Sequence, residues 1–125
     1  MLFSKLKGLL SVAAIAGMSI LAPSPAHAGN CSEASFYGTS SDGYSYQTMA
    51  NGRPMIPGAM ITAHRSYPFG TRLRVTNQSN GKSVTVTVAD RGPYIAGRNL
   101  DLSVGAFSQI ASPSQGVARV CYYRV

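Results

Sequence analysis

Residues Val84-Thr85-Val86-Thr87-Val88 alternate apolar and polar side chains with a period of two, as a strand with one buried face requires. Arg72-Leu73-Arg74-Val75-Thr76 alternates in the same way, and Ser79-Asn80-Gly81-Lys82 between the two runs has tight-turn chemistry. Together they predict a hairpin with Leu73, Val75 and the three valines inward, and the arginines and threonines outward. Shorter runs predict strands at Ala34 to Tyr37, Met60 to Ala63 and Val117 to Val125. The period changes once. Val104, Phe107, Ile110 and Ala111 recur at helical spacing behind Ser103, a suitable N-cap, and Ser112-Pro113 ends that short helix. Gly38 to Tyr46 reads as a polar, exposed loop. Asp90-Arg91-Gly92-Pro93 stops the second hairpin strand, and a loop runs on through Gly97. The chain has thirteen glycines and seven prolines, and the eleven and five beyond residue 28 punctuate these runs, which predicts an all-β barrel or sandwich with little helix.

The first 28 residues have a different pattern. Lys5 and Lys7 precede an apolar run from Leu9 to Leu21, which Pro23 and Pro25 break before Ala26-His27-Ala28. A positive start, a short apolar run and a small-x-small site predict a cleavable signal peptide over residues 1–28. The run is short for a membrane span. Asn30, before Cys31, stands where a lipid-attachment motif needs a small residue. No stable membrane anchor is therefore expected after cleavage, and the destination is the periplasm or the exterior. Residues 29–125 form one domain, expected to be monomeric.

Export bears on the cysteines. Cys31 and Cys121 are the only two, and an oxidising compartment favours their pairing over two free thiols. The chain-entropy model gives a loop of about 90 residues roughly 4–5 kcal/mol of stabilisation. No metal site is expected, because His64 is the one histidine beyond residue 28 and no Cys-x-x-Cys is present. No cofactor motif appears.

Without Lys5 and Lys7 the domain has nine Lys/Arg against four Asp/Glu, a net charge of +5. The cations are dispersed, which suits an anionic polymer but equally a merely solvated surface. Export and the lack of a groove-reading motif argue against nucleic acid.

The four carboxylates are Glu33, Asp42, Asp90 and Asp101. Glu33 lies near the start of the domain. Asp42, in Ser41-Asp42-Gly43, reads first as an Asx-turn residue. Asp90 ends an apolar strand before a Gly-Pro turn, where a side chain projects from a rigid element into a loop-lined cleft. Asp101, before the helix, either bonds backbone donors at the helix start or joins the chemistry. His64 follows a strand with no serine or cysteine at a recognisable catalytic spacing. The seven tyrosines offer flat faces for sugar rings or for the core.

Several segments together carry a resemblance. Ala34-Ser35-Phe36-Tyr37-Gly38, Met49-Ala50-Asn51-Gly52, Thr62-Ala63-His64 and Pro68-Phe69-Gly70-Thr71 stand in order with Val75-Thr76-Asn77 and Gly81-Lys82-Ser83. Asp90-Arg91-Gly92-Pro93-Tyr94 and Arg98-Asn99-Leu100-Asp101-Leu102-Ser103 complete the set. The chain resembles the rare lipoprotein A (RlpA)-like family, relatives of expansins, over nearly all of residues 29–125. The resemblance implies a six-stranded double-psi β-barrel with one or two short helices and a groove across one side. It also implies action on peptidoglycan or another anionic cell-wall glycan, as a lytic transglycosylase that leaves anhydro-sugar ends. Asp90 would be the catalytic aspartate, with Asp101 and His64 beside it. Tyr37, Arg53, Arg91, Tyr94 and Arg98 would contact substrate. The family pattern has a glutamate where this chain has Arg53, so the alternative is a non-catalytic, expansin-like glycan-binding module.

Overall fold

The computed structural model describes residues 29–125, and the expected signal peptide lies outside the described residues. Six strands close into a barrel: β1 (Asn30–Tyr37), β2 (Ile61–Ala63), β3 (Arg72–Asn77), β4 (Ser83–Asp90), β5 (Arg98–Ser103) and β6 (Ala118–Arg124). The strand order around it is β1-β5-β2-β4-β3-β6. Two pairs, β1 with β5 and β2 with β4, are parallel, and the other four are antiparallel. This is the double-psi arrangement that the resemblance implies.

The alternating runs behave as their pattern requires. Leu73 and Val75 of β3, Val84, Val86 and Val88 of β4, and Val120 and Tyr122 of β6 are buried in the barrel interior. The β3–β4 hairpin keeps the expected register, with Leu73 opposite Val86 and Val75 opposite Val84. An α-helix, α1 (Val104–Ile110), buries Ala106, Phe107 and Ile110 in the same core. Ser103 caps it, its Oγ accepting from the Ala106 N–H at 3.0 Å. Gly105 lets the helix start close in on the loop before β2: its N–H donates to the Pro57 carbonyl, and a β-carbon there would collide with Pro57 and Gly58.

Three features depart from the sequence pattern. β1 starts at Asn30, so Glu33 lies within a strand, 4.0 Å from Arg98. β5 is a full strand, whereas the pattern marks only Leu100 and Leu102 within it. In β4 the alternation breaks: Val88 and Ala89 are both buried, and Thr62 pairs with Val88 while Ala63 pairs with Asp90. This bulge inserts one extra residue, a device that re-aims the next side chain. Asp90 therefore leaves the inward set of the valines and faces outward.

Cys31 and Cys121 face one another across β1 and β6 and form a disulfide.

Candidate active site

Strand register assembles the site. Ser35 of β1 pairs with Asp101 of β5, Asp101 pairs with Ala63 of β2, and Ala63 pairs with Asp90 of β4. The four residues form one transverse row across four neighbouring strands. Asp90 and Asp101 are two strand spacings apart, about 10 Å between α-carbons. Ala63, a small residue, lies between them in the row. A cleft of about 270 Å³ lies over this row, lined by Tyr37, Tyr44, Thr48, Ala63, Asp90, Arg91 and Asp101.

The two aspartates have unlike surroundings. Three donors converge on the Asp90 carboxylate. The Tyr37 hydroxyl donates to Oδ2 at 2.7 Å, and the N–H groups of Ala50 and Arg91 each donate to Oδ1 at 2.9 Å. A carboxylate offers about four acceptor positions, so roughly one is left for a ligand. Tyr37 is fixed in turn, its hydroxyl 3.7 Å from the Met49 sulfur. Burial, then the Asp90 hydrogen bond and charge, push the Tyr37 phenol far above its usual range, so it remains a donor at any working pH. Asp101 accepts one side-chain hydrogen bond, from Ser35 Oγ at 3.0 Å. Its burial outweighs Ser35 and Arg98, and with the charges of Asp42 and Asp90 it pushes the Asp101 carboxyl up to about 6. Desolvation thus keeps one carboxyl of the cleft protonated into the mildly acidic range.

That shift has a stability consequence with a definite sign. Between the ordinary carboxylate range and pH 6 the folded chain holds the Asp101 proton and the unfolded chain has lost it. Stability therefore falls as pH rises through this window and levels off above it. Asp101→Asn keeps the shape and the acceptor for Ser35. It is expected to flatten the fall and to leave the variant about 1–3 kcal/mol more stable at pH 8. Denaturant midpoints of both proteins from pH 4 to 8 check this, and parallel profiles would refute it.

The other expected site residues are placed as follows. Arg91 lines the cleft, but its guanidinium turns from the carboxylates to the carbonyls of His64 (3.1 Å) and Tyr67 (3.0 Å) and covers the Phe69 ring. Arg98 is half-buried between Glu33 and the Asp101 side of the row. Tyr94 is 77% exposed and lines a separate shallow depression with Arg65, Ile95 and Ala96. Arg53 is exposed in the turn after Ala50 and is not part of the cleft lining.

His64, expected beside Asp90, does not line the cleft. Its Nδ1 accepts the N–H groups of Ser66 and Tyr67 at 3.1 and 3.0 Å, and its ring stacks on Tyr67 at 3.8 Å. Burial, reinforced by Arg65, Arg91 and Arg124, holds the imidazole below its usual pKa. A neutral ring with Nδ1 as acceptor organises the 64–67 turn. The link to Asp90 runs through the main chain, from the His64 N–H to the Asp90 carbonyl at 3.2 Å.

Sequence reasoning missed Ser35, Tyr44, Thr48 and Ala63. Ser35 and Ala63 sit inside quoted motifs, and only register reveals that they share a row with the aspartates. Asp42 is the expected Asx residue: its carboxylate accepts from the N–H groups of Gly38, Thr39 and Tyr44.

Comparison with known proteins places the chain in a family. A family model described as lytic transglycolase matches residues 30–122. The chain is 52% identical over 87 residues to a protein of Nostoc sp. named probable endolytic peptidoglycan transglycosylase RlpA, covering 70% of this chain and 23% of that one. It is 47% identical to an uncharacterized Synechocystis protein, covering 74% of this chain and 94% of that one. Among solved structures, a mutant Clavibacter michiganensis expansin in complex with cellohexaose is similar at a TM-score of 0.58 and 26% identity, over 77% of this chain and 50% of that chain. The chain thus spans about a quarter of the length of the first relatives named as transglycosylases.

Proposed function

Because the chain belongs to the RlpA-like lytic transglycolase family of double-psi β-barrels, we propose that it is an exported protein that cleaves peptidoglycan glycan strands without consuming water. The observation that carries this reading is the row itself, with two carboxyls of unlike environment flanking the small Ala63 under an open cleft. Paired carboxyls whose surroundings differ divide acid from base.

In this reading Asp101 is the general acid. It gives its proton to the glycosidic oxygen as the bond from C1 to that oxygen breaks. Asp90 is the general base. Its carboxylate, held by Tyr37, Ala50 and Arg91, takes the proton of the sugar's own 6-hydroxyl, whose oxygen forms the new bond to C1. The products are a free hydroxyl end and a 1,6-anhydro end. Intramolecular attack supplies the proximity that a free water lacks. The raised pKa of Asp101 supports dividing the two proton transfers between the aspartates. His64 acts as a positioning residue through the main chain. Residues 1–28 serve as the signal peptide, and residues 29–125 act as a monomer on wall glycan outside the cytoplasm.

Arg53 favours a second reading. With a cation where the family pattern has a glutamate, the cleft binds glycan as an expansin-like module and leaves it intact. Product analysis separates the two. Glycan strands stripped of stem peptides are incubated with wild type and with Arg53→Glu, and anhydro-ended fragments are measured by mass spectrometry. Anhydro product from wild type supports the enzyme. Retention of intact strands with no anhydro product from either folded protein supports the binder.

A further inference from the structure

The segment from Gly38 to Gln47 has the composition of a slack Gly/Ser loop, yet it is tightly held. The Asp42 carboxylate gathers the N–H groups of Gly38 (2.8 Å), Thr39 (3.1 Å) and Tyr44 (3.0 Å). Ser45 Oγ lies 2.8 and 2.9 Å from the carbonyls of Gly38 and Thr39. The Tyr46 N–H donates to the Met55 carbonyl, and the Met55 N–H donates to the Gln47 carbonyl. Met55 is fully buried, and its thioether packs so closely on Gly38 that a β-carbon there would collide with it. The loop is therefore tied to the interior at both ends.

This order displays apolar surface and carries strain. Tyr46 has φ of 63°, a left-handed conformation that a bulky side chain rarely adopts. Tyr44 and Tyr46 are 57% and 66% exposed. Tyr44 meets Tyr37 edge-on at 5.9 Å and forms part of the wall of the cleft that holds Asp90 and Asp101. A ring fixed by its backbone, open on one side and beside a polar cleft, loses little entropy when a ligand covers it.

We infer that Tyr44 is a stacking platform for a pyranose ring bound next to Asp90, and that Asp42 is the positioning residue that holds it there. A linear glycan fits this chemistry. Its C–H face covers the phenol ring while its hydroxyls meet the polar cleft, whereas a lipid chain would leave the two aspartates without hydrogen-bond partners. The inference rests on the reading of the cleft as a glycan site and adds a subsite to it.

The test is binding in the Asp90→Asn background, so that cleavage does not intervene, using peptide-free glycan strands and cellohexaose as probes. Tyr44→Ala is expected to weaken binding about tenfold or more. Tyr44→Phe, which keeps the ring face, stays within about threefold. Asp42→Ala weakens binding in the same direction, and Asp42→Ala with Tyr44→Ala binds no worse than Tyr44→Ala alone, because both act through one ring. Additive losses would overturn the role of Asp42. Undiminished binding by folded Tyr44→Ala would overturn the platform and leave the catalytic reading standing. Absence of binding by the folded Asp90→Asn parent and by wild type would overturn both.

Discussion

Asp90→Asn is expected to lower glycan cleavage by about 10²–10⁴-fold, the usual contribution of a positioned acid–base group. The loss comes from the missing base and not from the fold. The asparagine oxygen can still accept from Ala50 and Arg91, and its amide can donate to the Tyr37 hydroxyl, whose own proton then turns to the Met49 sulfur. Thermal midpoint and glycan retention should therefore stay near wild type while anhydro product falls. The measurement is the rate of anhydro-end formation on peptide-free strands, with unfolding followed alongside. Cleavage at the wild-type rate would remove Asp90 from the chemistry. A collapse of the melting temperature would mean that its hydrogen bonds serve the barrel first.

The second large effect is on stability. Replacing Cys31 and Cys121 together by alanine is expected to cost about 2–5 kcal/mol, with a fall in melting temperature on the order of 10–30 °C. The bond closes a span of 90 residues, so it restricts almost all of the unfolded domain. In the folded state it adds little that is new, since Asn30 to Ala34 already pair with Tyr122 to Ala118 around it. Thermal unfolding of the oxidised, reduced and double-alanine proteins tests this. The last two should coincide at the lower midpoint; three equal midpoints would remove the claim. Intact mass after thiol labelling, without reduction, reports whether the bond is present.

Most of the barrel was legible because its strands are half-buried. Val84 to Val88 and Arg72 to Thr76 carry the period of two that one inner face imposes, and the structure returns their register. β5 was not legible as a strand: Leu100 and Leu102 are its only strong apolar positions, and Arg98 and Asn99 look like loop. Asp90 stood out by its place at the end of β4. Its company did not, because Ser35, Ala63 and Asp101 are brought to it by pairing between strands distant in sequence. The surroundings of His64 were not legible either, although two backbone N–H groups only two and three residues ahead donate to its Nδ1. The order in the Gly38–Gln47 loop was hidden because half of what holds it comes from Met55.

The bulge at Ala89 makes the chemistry of β4 depend on parity as well as on residue identity. Asp90 is an even number of residues from Val84, Val86 and Val88, so an unbroken strand would turn its carboxyl in among them, toward Leu100 and Leu102. One extra residue, itself small and buried, reverses that phase just before the strand ends. The position can thus tolerate exchange of one small side chain for another more readily than loss of a residue. A deletion would leave every named side chain of the cleft in the sequence and still remove the carboxylate from it. Chains of this architecture that share the aspartate but differ by one residue ahead of it would share a motif without sharing a site.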